Sequence, residues 1–155
     1  MIGFPSSMFA RASAPPPPPP SYGAELVNNG TFDSGTGGWT NLGSGSLSSV
    51  AGKLRISSVG ADNGAKQAIF TLEAGATYRL MATMQPSESN RARGALFNNN
   101  GWTYYYFETV GGSVDFEFVA SGATIEIGFE AASSTAWASN GQYAEFDDVS
   151  VRKRL

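Results

Sequence analysis

"SVDFEFVASGATIEIGFEA", Ser113 to Ala131, decides how this chain folds. Val114, Phe116 and Phe118 alternate with Asp115 and Glu117. After a turn at Ser121-Gly122, Ile125, Ile127 and Phe129 alternate with Thr124, Glu126 and Glu130. A period of two sends apolar side chains to one face of a strand and charges to the other. Alternation with one polar face predicts sheets that are covered on one side only, as in antiparallel sandwiches.

The pattern extends outward. In "ATYRLMATM", Tyr78, Leu80, Ala82 and Met84 share a face. In "AKQAIFTLEAG", Ala68, Phe70 and Leu72 are expected to point inward, with Gln67, Thr71 and Glu73 opposite them. Glu73-Ala74-Gly75 and Gly111-Gly112 read as turns, and "PSESNRARG" as a loop. No stretch shows helical spacing. About nine strands follow from the turn spacing. They predict an all-β fold, two antiparallel sheets packed face to face as a jelly roll or related β-sandwich. The composition agrees: of 155 residues 41% are hydrophobic, only 15% are charged and 19 are Gly, which suits short strands and tight turns rather than a helical bundle.

Two regions follow. Residues 1–23 form an N-terminal arm, and residues 24–155 form the sandwich domain. The arm opens with a leader whose apolar points are Ile2, Phe4, Met8 and Phe9, followed by six prolines, Pro15 to Pro20. Consecutive prolines adopt polyproline II, so the rod spans about 19 Å and little entropy is lost when it is ordered. A short apolar peptide on a stiff spacer has the properties of a docking arm. The leader is a poor export signal: Ala12-Ser13-Ala14 resembles a cleavage site, but no Lys or Arg precedes the apolar part, and Pro5, Ser6 and Ser7 interrupt it. Synthesis in a cytoplasm without secretion is therefore expected.

Several function classes are disfavoured. The net charge of −3 gives no basic surface, so nucleic acid is not expected as a partner; Arg152-Lys153-Arg154 reads as a solvated strand end. No apolar run approaches the ~20 residues of a membrane helix, and no membrane partner is expected. With no Cys and no His, disulfides, thiol nucleophiles, the commonest general base and the usual zinc ligands are all missing.

The two ends of the domain carry a resemblance. "LVNNGTFDSGTGGWT" holds Asn29, Gly30, Phe32, Asp33, Gly35, Gly38 and Trp39, and "AEFDDVSVRK" holds Asp147, Asp148, Val149 and Val151. Together they resemble the opening and closing motifs of carbohydrate-binding modules of the family 4 and 9 type, galactose-binding-like jelly rolls. The resemblance covers about residues 25–152. Domains of this type also occur in phage virion proteins, often after a short leader. The resemblance implies a structural calcium near the paired first and last strands, with Asp33 and Asp147 as ligands. The residues themselves leave two readings open. Asp147 shares parity with Val149 and Val151 and so is expected to face the core, where it needs a partner or a cation. Alternatively, each Asp accepts hydrogen bonds from turn amides.

In "NNNGWTYYYFETV", Trp102, Tyr104 and Tyr106 fall on one strand face, with Tyr105 and Phe107 on the other. The first three suit a protein interface, burial beneath a loop, or stacking on sugar rings. Trp137, in the loop "SSTAWASNG", is expected to join them, whereas Trp39 is expected in the core. Glu73, Glu108, Glu117, Glu126, Glu130 and Glu145 could supply a glycoside-hydrolysing pair, but strand alternation already accounts for them as solvent-facing charges. No catalytic site is therefore expected. Asn29-Gly30-Thr31 is a glycosylation sequon that belongs to the opening motif.

These observations favour a non-enzymatic virion structural protein: a capsid decoration or a head or tail fibre component. Its arm would bind the major capsid protein or another virion protein. Analogy suggests a homo-oligomer, with a trimer suited to a capsid symmetry axis. The alternative is a free-standing carbohydrate-binding module. The two are compatible if the displayed domain binds a host-surface glycan.

Overall fold

The computed structural model describes residues 17–61, 63–88, 92–98, 101–103, 111–132 and 136–155, with backbone alone at 95, 97, 98 and 101–103. The leader, Pro15, Tyr104, Tyr106 and Glu108 lie outside the described residues. The strands are β1 (Tyr22–Glu25), β2 (Thr40–Gly43), β3 (Ser46–Val50), β4 (Lys53–Ser57), β5 (Asn63–Ile69), β6 (Thr77–Pro86), β7 (Arg93–Asn98), β8 (Gly101–Thr103), β9 (Gly112–Val119), β10 (Ile125–Glu130) and β11 (Tyr143–Arg154). The described residues contain no helix. The first sheet runs β3-β4-β11-β6-β9, with β1 added along the C-terminal half of β11. The second runs β2-β5-β10-β7-β8. All pairings are antiparallel, as a two-sheet jelly roll requires.

The core lies between the sheets, where the alternation placed it. Tyr78, Leu80, Ala82 and Met84 of β6, Val114 and Phe118 of β9, and Ile125, Ile127 and Phe129 of β10 are all buried. Phe32, Trp39, Phe129 and Phe146 form one aromatic chain with successive ring separations of 5.4, 5.8 and 4.7 Å. Each such ring buries a large apolar area, and the tilted contacts add to it.

The opening motif is built for this core. Gly30 O accepts from Val149 N at 3.0 Å, and a Cβ on Gly30 would stand 2.0 Å from Val149 O, so only glycine fits. Asn29 Nδ2 donates to Gly35 O (2.9 Å) and Gly37 O (3.1 Å), closing the loop that delivers Phe32 and Trp39 inward. The sequon amide is therefore committed to the loop.

Three expectations are corrected. The buried side of β5 is Ala65, Gln67 and Ile69, while Phe70 is turned out and 69% exposed. Gln67 is tolerated inside because its amide is satisfied: Asn28 N donates to Oε1 at 2.7 Å, and Nε2 donates to Asn28 O (2.8 Å) and Gly38 O (3.1 Å). Asp147 does not face the core. A bulge between Asp147 and Ser150, with Asp148 at φ 50°, inserts a residue and resets the parity, leaving Asp147 on the outer side beside Thr83. Glu130 is not a solvent-facing charge but is 6% exposed. Among the described residues there are also eleven strands, where about nine were expected. β1, β2 and β8 have only four, four and three residues, too short to show a period.

Candidate functional site

The two sheets expose different outer faces. On the first, described cations pair with carboxylates. Arg55 Nε donates to Glu145 at 3.0 Å and its guanidinium lies 3.9 Å from the Tyr143 ring centroid. Arg79 grips both oxygens of Asp115, and Arg152 and Arg154 reach Glu25 (3.0 Å) and Glu117 (2.7 Å). The Arg79 contact holds the Asp115 carboxyl below its ordinary range. Two shallow clefts open here: about 290 Å³ beside Lys53, Thr83, Gln85 and Asp147, and about 320 Å³ beside Tyr22, Arg79, Met81 and Arg152. Most of their polar groups are engaged in this lattice, which suits a solvated face.

The outer face of the second sheet is organised otherwise. Directly opposed residues of antiparallel strands share a face, so the register defines its rows. Leu42, Gly64, Glu130 and Arg93 form one row. Thr40, Lys66 and Gly128 form the next. Ala68 and Glu126 form a third, which the backbone register continues through Phe97 to Trp102 on edge strand β8. Small residues stand in the middle of the face: Gly64 and Gly128, both buried, and half-buried Ala68. Lys66 Nζ bonds Glu126 Oε1 at 3.0 Å across it. Phe70 continues the parity of Lys66 and Ala68 and stands exposed at one end. Trp137 stands at the other, half-buried, bridged to Ala132 and 5.1 Å from the Arg93 guanidinium.

Of the expected aromatic set, Trp137 is thus on this face, and Trp102 falls in its register. Phe70 was missed because the alternation of "AKQAIFTLEAG" was assigned to the wrong face; the end of β5 at Ile69 decides it. Trp39 is in the core, 6% exposed.

Glu126 and Glu130 share this face but are four residues apart on one strand, about 13 Å. That exceeds the ~5–9.5 Å carboxyl separations of glycoside hydrolysis. Each is also held by a cation, Lys66 or Arg93.

At the expected calcium position, Asp33 accepts from Thr31 Oγ1 at 2.9 Å and Asp147 from Asp148 N at 2.8 Å, both local turn-type bonds. Among the described residues no three His, Cys, Asp or Glu side chains gather into a metal-binding group. Burial pushes the Asp147 carboxyl above its ordinary range, and the charges of Asp148 and Asp33 add to this against the Asp148 amide and Lys53.

The arm meets the domain beside the C-terminus. Leu155 N donates to Ser21 O at 3.0 Å, and β1 spans the boundary drawn at residue 23, with Tyr22 opposite Arg154. The Glu25 carboxylate then fastens the chain, accepting from Leu26 N (3.0 Å), Val27 N (3.0 Å), Val151 N (2.8 Å), Ser150 Oγ (2.5 Å) and Arg152 Nε (3.0 Å).

No family model matches the sequence, and no curated protein matches it. Solved structures do match in shape. The xylan-binding CBM22-1 domain of Paenibacillus barcinonensis Xyn10C superposes with a TM-score of 0.63 at 12% identity, over 84% of this chain and 95% of that one. The N-terminal cellulose-binding domain of Cellulomonas fimi β-1,4-glucanase C gives 0.58 at 22% identity, over 85% and 99%. The enzymatically active part of tailspike protein 4 of bacteriophage CBA120 gives 0.59 at 14% identity, over 83% of this chain but 21% of that one. The fold is thus the jelly roll of carbohydrate-binding modules.

Proposed function

We propose that this protein is a non-catalytic glycan-binding module whose binding surface is the outer face of the second sheet. The observation that carries this is the placement of Phe70 and Trp137 at opposite ends of a face whose middle holds the small residues Gly64, Ala68 and Gly128 and the partly exposed Lys66–Glu126 pair. Ring faces attract the C–H groups of pyranoses, and the Lys66–Glu126 pair between them offers a donor and an acceptor to hydroxyls. The carboxylate spacing supports binding rather than hydrolysis. Likeness to xylan- and cellulose-binding domains supports the ligand class.

Affinity electrophoresis through gels containing xylan, soluble cellulose derivatives or bacterial surface polysaccharide tests this. Wild type should be retarded by at least one polymer. Phe70→Ala and Trp137→Ala should each lose most of the retardation while melting normally, since stacking of this kind is worth about 0.5–1.5 kcal/mol per ring. Equal mobility of wild type and both variants in every gel would end the proposal.

A second reading is supported by the occurrence of this fold within a phage tailspike protein. In it, the domain is displayed on a virion, with the leader and rod as its tether and a virion protein as its partner. Repeated display would raise the avidity of weak glycan contacts. Mass spectrometry of purified particles carrying the gene tests this; absence of the protein from them would refute it.

A further inference from the structure

We infer that Glu130 is a positioning residue for the Trp137 end of the glycan face, acting through Arg93; this rests on reading that face as a binding surface. Glu130 and Arg93 are opposed in the β10–β7 register and joined by an ion pair between Arg93 Nε and Glu130 Oε2. Both lie on the outer side of the sheet, yet their side chains are only 8% and 13% exposed. The other outer-face pairs are more open: Lys66–Glu126 at 33% and 25%, Arg79–Asp115 at 31% and 50%. Burying both charges costs several kcal/mol per ion in desolvation, and an apolar pair of the same volume would often serve stability as well. The pair is therefore a poor device for stability alone. What it holds is the guanidinium, 5.1 Å from the centre of the Trp137 ring, a distance at which a cation is drawn to an aromatic face.

Neighbouring features keep this stack in place. A Cβ on Gly64 would come 3.1 Å from Glu130 Cγ and 2.9 Å from Phe129 O, so glycine at that position leaves room for the carboxylate. Ala138 N donates to Ala131 O at 2.7 Å beside the Ala132–Trp137 bridge, tying the residue after Trp137 to the end of the sheet. Ser58 Oγ donates to Ala138 O at 2.6 Å and accepts from Asn63 Nδ2 at 2.9 Å, anchoring the loop to the start of β5. The backbone at Trp137 and Ala138 is thus tied by hydrogen bonds, and the Trp137 ring lies against Arg93, which is paired with Glu130.

The test uses the full chain labelled with fluorotryptophan. Fluorine NMR should show three Trp resonances, and Trp137→Phe assigns the one of interest. Glu130→Ala should shift or broaden the Trp137 resonance and leave that of Trp39 in place. Glu130→Gln, which keeps an acceptor for Arg93, should stay closer to wild type. If Glu130→Ala unfolds the chain, Arg93→Lys, which takes the planar guanidinium away from the ring, supplies the same readout. A Trp137 resonance unmoved in every folded variant would overturn the inference, with or without a ligand. Retardation in the glycan gel provides a second readout: Glu130→Ala should weaken binding about tenfold, the size of a lost cation–π contact. Wild-type binding by Glu130→Ala beside lost binding by Trp137→Ala would sink only the positioning role. Unchanged mobility of Trp137→Ala and Phe70→Ala would sink the glycan reading instead.

Discussion

At the scale of single residues, two carboxylates on the β1–β11 side act in opposite senses. Burial pushes the Glu25 carboxyl upward, but the hydrogen bonds from Ser150, Val27, Val151 and Arg152 outweigh it and hold the group below its ordinary range. A depressed carboxyl stabilises the fold above its unfolded pKa, and that contribution fades as pH falls through the folded value. Glu25→Ala should therefore cost about 2 kcal/mol at neutral pH, seen as a melting temperature lower by about 5–8 °C. The deficit should shrink below the ordinary glutamate range; a deficit constant down to strong acid would contradict the account. Asp147 is the reverse case. Its raised carboxyl favours the folded state at low pH, and that advantage is lost as pH rises through the folded value. Asp147→Asn should accordingly raise the melting temperature at neutral pH and make little difference in acid. If Asp147 were a calcium ligand, the same change would lower the melting temperature, and EDTA would do so in the wild type. Thermal scans at two pH values, with and without chelator, separate the two.

At the scale of elements, the long strands were legible and the short ones were not. β6, β9 and β10 alternate over six to ten residues, enough to fix both existence and inward face. β5 has a readable span, but the inward position of Gln67 inverts its pattern. Only the amides and carbonyls it meets on Asn28 and Gly38, distant in sequence, explain that position. The bulge at Asp147 is invisible to parity counting because it inserts one residue into an otherwise regular run. It also overturned the core placement of Asp147. The candidate site was legible in part. Trp137 could be singled out as a loop aromatic, whereas its partnership with Arg93 and Glu130 depends on cross-strand register. Phe70 illustrates the consequence for function: exposed beyond the end of β5, it should be nearly neutral for stability when truncated yet matter for binding. A large melting shift in Phe70→Ala would place it in the core after all.

At the scale of the whole molecule, the first sheet presents a lattice of paired charges and the second a face with small residues in its middle and aromatic ends. The arm enters at β1, beside the C-terminus. Because β1 and Glu25 fasten the chain at the start of the domain, removing residues 1–20 should leave the melting temperature and glycan binding unchanged while abolishing attachment to any larger assembly. Full attachment of the truncated protein would remove the tether reading. The central claim, that the second sheet's outer face is the glycan surface, is tested most directly by amide NMR during titration with whichever xylan or glucan oligosaccharide retards the protein. The account predicts shifts concentrated at Lys66, Ala68, Phe70, Glu126, Gly128 and Trp137. Shifts confined to the first sheet, around Arg55, Arg79 and Glu145, would contradict it.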